Sequence, residues 1–310
     1  MTPVMTPEMT HEMTHEGETA VQRRAGFTRS GWGSAGVRAF VPAVAAEFLA
    51  RQRLLVIAAA DAGGAVWASP LAGPPGFAAA PDERTVTVDR LPVAGDPLAG
   101  RFDEERDIGM LALEPGSRKR MRVNGRARRD GSGLVVRTEQ VYANCPKYIQ
   151  TRTPAGDDAP AKPVAATWSE QPDDGQLRWI TGADTFFVAT RAPGKGADAS
   201  HRGGAPGFVR ATGARRLSWP DYVGNAMFMT LGNLELDPRC GLLFLDWEGG
   251  RALHLTGRAR VDWDPERAAG VPGAQRLVDF DVEQVVEVAG AVPQRWTFGA
   301  YSRFNPPVAP

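Results

Sequence analysis

Ser200-His201-Arg202-Gly203-Gly204 is the segment of this sequence best equipped for chemistry. Two glycines free backbone N–H groups to approach an anion, Arg202 adds a planar two-pronged donor, and Ser200 adds a hydroxyl. Such a set suits a phosphate or carboxylate; the alternative for so short a motif is a plain surface turn. His201 is the acid/base candidate here, joined by Tyr222 further along the chain. A second group of cations, Arg118, Lys119, Arg120, Arg122, Arg126 and Arg128, falls on a predicted hairpin whose even-numbered members share one face. By itself that pattern describes a solvated face. No aromatic residues interleave with it, as single-stranded nucleic acid would require. Arg120 and Arg122 are nevertheless candidates to bring charge to the anion site. Tyr142-Ala-Asn-Cys-Pro-Lys-Tyr-Ile-Gln150 is a further candidate segment, with Lys147, Tyr148 and Gln150 among its polar side chains. Cys145 has no histidine near it in sequence and reads as a buried structural cysteine.

These segments are positioned by a duplication. From 68 to 77 the chain matches 199 to 208 at six of ten positions, an offset of 131. Gly109-Met-Leu-Ala-Leu113 answers Gly241-Leu-Leu-Phe-Leu245 at 132, and Gly125-Arg-Ala-Arg128 returns unchanged as Gly257-Arg-Ala-Arg260. Glu139-Gln-Val141 returns as Glu283-Gln-Val285 at 144, which places an insertion near Asp264 to Gln275. Two long copies are not a solenoid. They imply two like domains facing each other across a pseudo-two-fold axis. The copies differ where chemistry is concerned: Ser69-Pro-Leu-Ala-Gly73 stands where the second copy has Ser200-His-Arg-Gly-Gly204, and Val286-Glu-Val-Ala-Gly290 has none of the features of Tyr142 to Gln150.

With 43% hydrophobic and 23% charged residues, the 310-residue chain has the composition of a soluble globular protein. Lys plus Arg and Asp plus Glu both number 36, so no net field gathers polyanions or anionic membranes. No apolar run approaches the ~18 residues of a spanning helix, and the polar first residues are not a signal peptide; two cysteines make neither a metal cluster nor a disulfide framework. A cytoplasmic bacterial protein is expected, its Ala, Arg, Gly and Pro content pointing to a GC-rich genome. Residues 1–35 read as a disordered tail. The tail contains His11-Glu-Met-Thr-His15, an HExxH match that arises from its four-residue repeat and lacks an apolar helix around it, so no metal site is expected. A helix over Val41 to Arg51 precedes short strands separated by Gly-rich turns, including Arg53 to Ala60, Asp107 to Leu113, Met121 to Arg128 and Leu134 to Tyr142, then their counterparts in the second copy. This describes a mainly β, small-barrel architecture: a degenerate first copy over 36–152, a Pro-rich linker over 153–176 and a second copy over 177–310.

The ordered series Pro206-Gly-Phe-Val209, Trp219-Pro-Asp-Tyr-Val-Gly-Asn225, Thr230-Leu-Gly-Asn-Leu234, Asp237-Pro-Arg239 and Gly241-Leu-Leu-Phe244 resembles the flavin-binding split barrel of the pyridoxamine 5'-phosphate oxidase superfamily. The resemblance covers 184–262 well and reaches 52–150 through the repeat. It implies two tandem split barrels forming an intrachain pseudo-dimer, with flavin mononucleotide (FMN) held between them. It further implies that Tyr222, Gly224, Asn225 and Thr230 approach the phosphate and ribityl chain, with Asn233 on the helix that follows. The same resemblance gives Lys147 a role at the phosphate or the substrate, and Tyr148 and Gln150 the capping of the ring. Many members carry Arg or Lys beside the position of Asn225; this chain has Ala226 and Met227, so Arg202, Arg210 or first-copy cations must meet the phosphate. Trp219, Tyr222 and Phe228 are candidates for the substrate face. An FMN-dependent oxidoreductase acting on a small organic substrate is the implied function. Alternatives on the same fold are a deazaflavin (F420) reductase or a non-catalytic flavin- or haem-binding protein. No GxGxxG follows a strand, so NAD(P)H or a reductase would serve as a transient electron donor. Either a monomeric pseudo-dimer or a homodimer of it is expected, without nucleic-acid or membrane partners.

Overall fold

Leu54 to Ala60 is an uncharged apolar run that must be covered on both faces. In the computed structural model, which describes residues 14–28, 36–143, 145–156 and 164–308, it is strand β1 (Leu54–Ala60), buried at every position but the last. With β2 (Val66–Ala72), β3 (Ala78–Asp82), β4 (Thr85–Val88), β5 (Arg106–Glu114), β6 (Lys119–Asp130) and β7 (Gly133–Ala143) it forms an antiparallel sheet in the order β2-β1-β5-β6-β7-β4-β3. The second half contributes β10 (Thr185–Ala192), β11 (Gly196–Gly203), β12 (Arg210–Gly213), β13 (Arg216–Tyr222), β14 (Arg239–Leu245), β15 (Ala252–Asp262) and β16 (Ala274–Ala289). Their order is β11-β10-β14-β15-β16-β13-β12. The two orders superpose strand for strand, so the repeated phrases mark repeated structure: a mainly β protein of two split barrels.

Gly-Arg-Ala-Arg recurs because it begins at a β-bulge. The register shifts between Asn124 and Gly125 in the first barrel and between Thr256 and Gly257 in the second. A Cβ on Gly125 or Gly257 would sit 2.0 Å from the carbonyl oxygen of Arg137 or Asp281 respectively, so only glycine lets the long strand bend there. The expected insertion is also present. β6 turns directly into β7, with Asp130 paired to Gly133, whereas β15 reaches β16 through a short helix, α5 (Pro265–Ala269).

The barrels meet across the pseudo-two-fold. A Cβ on Gly109 of β5 would lie 2.5 Å from Asp198 Cα on β11, and one on its counterpart Gly241 of β14 would lie 2.6 Å from Val66 O on β2. Equivalent glycines thus receive equivalent strands, the isologous pattern of a dimer inside one chain. Ile57, Leu111 and Val123 of the first barrel share one apolar cluster with Phe187, Leu243 and Val286 of the second. Each such side chain contributes roughly 1.5–3 kcal/mol on burial, so the two barrels stabilise each other. Phe186, Trp219, Phe244 and Phe280 fill a second cluster inside the C-terminal barrel.

The helices are α1 (Glu16–Arg24), α2 (Ala43–Ala50), α3 (Asp174–Gly182) and α4 (Met229–Leu236) besides α5. Of the tail expected to be disordered over 1–35, residues 1–13 and 29–35 lie outside the described residues; α1 corrects the expectation over Glu16–Arg24, which is helix. His15 caps it, its Nδ1 accepting from Gly17 N while the Glu18 carboxylate accepts from His15 N. The helix packs on α4 through Val21 and through buried Glu18 and Gln22. Polar composition concealed this because the buried polar groups have specific partners, such as Gln22 Nε2 donating to Ala226 O at 3.2 Å. His15 is therefore a helix cap, and His11 and Glu12 lie outside the described residues. The linker expected over 153–176 is also partly built into sheets. β8 (Arg152–Pro154) pairs with β17 (Trp296–Phe298), β9 (Ala165–Ser169) extends the second sheet along β16, and Asp173 caps α3. Among the described residues no helix is long and apolar enough to cross a membrane.

Candidate functional site

Two strands from different barrels supply the charged side chains. On β11 the two-residue period puts Asp198, Ser200 and Arg202 on one face, where Thr230 Oγ1 of α4 donates to Asp198 Oδ2 (3.3 Å) and accepts from Ser200 Oγ (3.0 Å). From β6, Arg122 Nη1 reaches both Asp198 carboxylate oxygens at 3.0 Å and Tyr142 Oη at 3.2 Å. Burial opposes the Arg122 charge, yet Asp198 and Tyr142 hold its pKa above the ordinary value. Past the bulge Arg126 faces outward to Asp107 and Glu105, so the run of cations divides into a buried pair and an exposed remainder.

Arg120 and His201 show what the site lacks. Arg120 Nη1 lies 3.2 Å from His201 Nδ1. A guanidinium only donates, so Nδ1 accepts and the imidazole proton sits on Nε2. Burial, then Arg120 and Arg202, push His201 well below its ordinary pKa, which makes it a neutral N–H donor and not an acid. Burial, with Arg122 and Arg202 as neighbours, takes Arg120 down to about 9. Arg120 Nε, Arg122 Nε and His201 Nε2 are buried and have no hydrogen-bond partner among the described residues. Donors are rarely buried unpaired at no cost, and three in one place call for an acceptor-rich, anionic ligand.

They line a cavity of about 110 Å³ whose cations are Arg120, Arg122, Lys147 and Arg202. Its one lining carboxylate among the described residues, Asp221, is raised by burial against the pull of Arg202 and Arg276, and Arg276 donates to it at 2.8 Å. Tyr148 and Tyr222 stand at the cavity with ring centroids 5.1 Å apart. Burial and Tyr148 raise Tyr222 to about 12, so its hydroxyl stays a donor. Gly203 is where the first barrel's C-terminal segment crosses: a Cβ there would meet Tyr148 O at 2.0 Å. The loop from Tyr222 to α4 closes one wall with Gly224, Asn225, Met227 and Phe228. Ala226 and Phe228 both hold φ of 59°, a conformation costing of order 1–3 kcal/mol per residue. Asn225 Oδ1 accepts from Met227 N at 3.2 Å, and Gln22 of α1 donates to the carbonyls of Ala226 and Met227. The strained loop is thus held from both sides.

Of the residues singled out in the sequence, Arg120, Arg122, Lys147, Tyr148, His201, Arg202, Gly203, Tyr222, Gly224, Asn225, Phe228 and Thr230 come together here. Others do not. Ser200-His-Arg-Gly is strand and not a turn, and Gly204 N is spent on Asp184 O. Ser200 sits behind the cavity, accepting from Arg202 Nη1 at 3.0 Å. Gln150 caps nothing; its amide is saturated by the carbonyls of Tyr148, Asp184 and Gly204 and by Ser302 N. Asn233 bridges Thr190 and His15 inside the fold. Arg210 lines a different cavity, beside Ser218 and Glu266. Trp219 is core. Cys145, read as structural, lines the site, as does Asp221. Cys145 lies in the segment that lacks a counterpart in the second copy, and Asp221 lies within the motif Trp219 to Asn225, where nothing singled it out as a site residue.

The pseudo-symmetric position carries different groups. Pro70 and Leu71 stand where His201 and Arg202 stand, Ala291 and Val292 where Lys147 and Tyr148 stand, around a cavity of about 230 Å³ whose two lining cations among the described residues, Arg90 and Arg295, donate to neighbouring backbone carbonyls. His254 takes the place of Arg122 and is tied to Ala68 O at 2.8 Å, while Ser69 donates to buried Asp96 at 2.6 Å. Only one of the two symmetric sites carries cations at the positions of Arg122, Lys147 and Arg202.

Residues 173–289, from the cap of α3 through the end of β16, match the pyridoxamine 5'-phosphate oxidase family. The second barrel is a pyridoxamine 5'-phosphate oxidase-like domain. The first barrel repeats the strand order of that domain. No curated protein matches the chain. Solved structures similar to it include HupZ of Group A Streptococcus, 13% identical, covering 36% of this chain and 90% of its own, with a TM-score of 0.31. A putative pyridoxamine 5'-phosphate oxidase from Lactobacillus delbrueckii is 14% identical, covering 38% and 94%, with a TM-score of 0.31. A FAD-binding protein from Mesorhizobium loti is 11% identical, covering 41% and 98%, with a TM-score of 0.27.

Proposed function

We propose that this pyridoxamine 5'-phosphate oxidase-like pseudo-dimer is an FMN-dependent oxidoreductase acting on a small organic substrate, its single flavin held between the two barrels. The observation that carries the reading is the convergence of unpartnered buried donors from both barrels, Arg120 and Arg122 from one and His201 from the other, on one cavity. Its donor chemistry fits a phosphate. The cavity of about 110 Å³ is below the roughly 300 Å³ of pockets that enclose a whole cofactor, so it suits the phosphate end, with a ring directed to the mouth by Tyr148, Tyr222 and Phe228. Arg202, Arg120 and Lys147 would neutralise the phosphate, and Asn225 and Thr230 would meet the chain that joins it to the ring. The flavin, when bound, would supply the two-electron exchange. The protein's part is to orient it, exclude water with Phe208, Met229 and Leu231, and present His201 Nε2–H and the protonated Tyr222 hydroxyl as donors. NAD(P)H or a reductase would act as electron donor from outside.

The His201 tautomer weighs against haem, because ligation needs a free lone pair on Nε2 while Arg120 keeps the proton there. Titration of FMN into the protein, followed by quenching of flavin fluorescence, tests the proposal. Saturable one-to-one binding that weakens in Arg202→Ala and in Arg120→Ala is expected; equal affinity in all three proteins would overturn it.

A further inference from the structure

A second cavity, of about 630 Å³, lies in the first barrel between α2 and the hairpin of β6 and β7, and the phosphate site leaves it unused. Its wall is apolar: Val44, Ala45 and Phe48 from α2 face Met121, Val141 and Ala143 from the hairpin. Val44 is 74% exposed, an unusual placement for a branched aliphatic side chain that a ligand would cover. The volume falls within the range of roughly 300–1,000 Å³ typical of small-molecule sites.

Charge gives the cavity a polarity. Arg38, Arg51, Arg118, Lys119 and Arg120 line it, and no carboxylate does among the described residues. Three of the five have partners elsewhere: Arg118 donates to Ile149 O and Tyr301 O, Arg51 lies 3.9 Å from Glu114, and one nitrogen of Arg120, Nη1, is spent on His201. The Arg38 guanidinium rests 5.5 Å from the Phe40 ring centre, a contact that leaves its N–H groups available. Lys119 projects into solvent at the rim. An apolar chamber with an all-cationic rim discriminates by charge as well as by hydrophobicity.

Arg120 joins the two sites. It lines both cavities, and its Nη1 is the group that holds His201 in the phosphate site. A molecule in the apolar chamber would therefore lie beside whatever occupies the cavity between the barrels.

We infer that this chamber binds an apolar monocarboxylate, its hydrocarbon body against α2 and its carboxylate on the Arg38, Lys119 and Arg120 rim. That this ligand is the substrate of the flavin site rests on the function proposed above; its binding does not. Calorimetric titration with decanoate below its micellar concentration tests the inference, with decan-1-ol as the uncharged control and FMN titrated separately into every protein. Decanoate is expected to bind one-to-one and at least tenfold more tightly than decan-1-ol. Val44→Glu and Lys119→Glu, both surface changes that spare the fold, should each weaken decanoate at least tenfold and leave FMN affinity and melting temperature unchanged. Failure of decanoate to bind, equal binding of the alcohol, or affinities unmoved by both substitutions would overturn the inference. Selective decanoate binding in a protein that takes up no FMN would uphold the chamber and sink only the flavin reading.

Discussion

Raising the pH should release α1 from the rest of the protein, and Glu18 sets where. Its side chain is fully buried, with Oε2 accepting from His15 N at 3.0 Å and Oε1 unpartnered. Burial raises its pKa from 4.5 to about 8; the His15 N–H pulls it down, the Asp198 charge adds to the rise and Arg122 opposes it. His15 and Asn233 face it from the helix cap and α4, and neutral His15, lowered by burial, brings no compensating charge. The carboxyl is therefore protonated when docked and ionised when released. Its contribution to docking is complete below pH 4.5, declines as pH rises, and is lost above pH 8. A shift of that size corresponds to about 5 kcal/mol over the whole interval, of which about 4 falls between pH 5 and pH 8. Hydrogen exchange of the amides of residues 16–24, corrected for intrinsic rates, reads this directly. Protection should fall at least tenfold from pH 5 to pH 8 in the wild type and stay nearly level in Glu18→Gln, which keeps the acceptor for His15 N and cannot ionise. Equal pH dependence in both proteins would refute the reasoning. Because Gln22 holds the strained loop at Ala226 and Met227, FMN affinity should decline over the same range.

Three further outcomes follow from the geometry. Arg202→Ala should weaken FMN binding by about 10- to 150-fold, the equivalent of one charge-assisted hydrogen bond at roughly 1.5–3 kcal/mol, whereas Leu71→Arg at the counterpart position should create no second site; equilibrium titration measures both. Arg152→Ala leaves Asp184, which it contacts at 2.6 and 2.7 Å in a buried pair, without its counter-charge, and should cost about 3–5 kcal/mol in denaturant unfolding. Gly109→Val places side-chain atoms against Asp198 Cα across the barrel interface and should cost about 3 kcal/mol or more. The equivalent Gly241→Val should do likewise, and a melting temperature unchanged in either would contradict the pseudo-two-fold interface.

Duplication made most of the fold legible. The likeness of the two halves, the insertion near residue 264 and the asymmetry between the copies could all be read by laying one half of the chain on the other, because repeated glycines record backbone approaches that no other residue tolerates; the order of strands within each sheet could not. The cations of the site were legible for a related reason: Arg202 and Lys147 stand where the other copy has Leu71 and Ala291. What was hidden depends on contacts between distant segments. α1 looks like solvated chain until Asn233 and the carbonyls of Ala226 and Met227 are in place to receive His15 and Gln22. Gln150 and Asn233 are polar, as ligand-binding residues are, but their amides close the fold. Asp221 carries no local signature, since its place at the cavity is set by the pairing of β13 with β16 and by Arg276.

The central claim, that the two barrels together hold one FMN, is tested most directly by the visible absorption spectrum of the freshly purified protein. The released chromophore is identified by mass and counted per chain. The account predicts bands of oxidised flavin and FMN at one per chain, with the colour lost in Arg202→Ala. A colourless protein that takes up no added FMN, two flavins per chain, or a released deazaflavin or haem would contradict it.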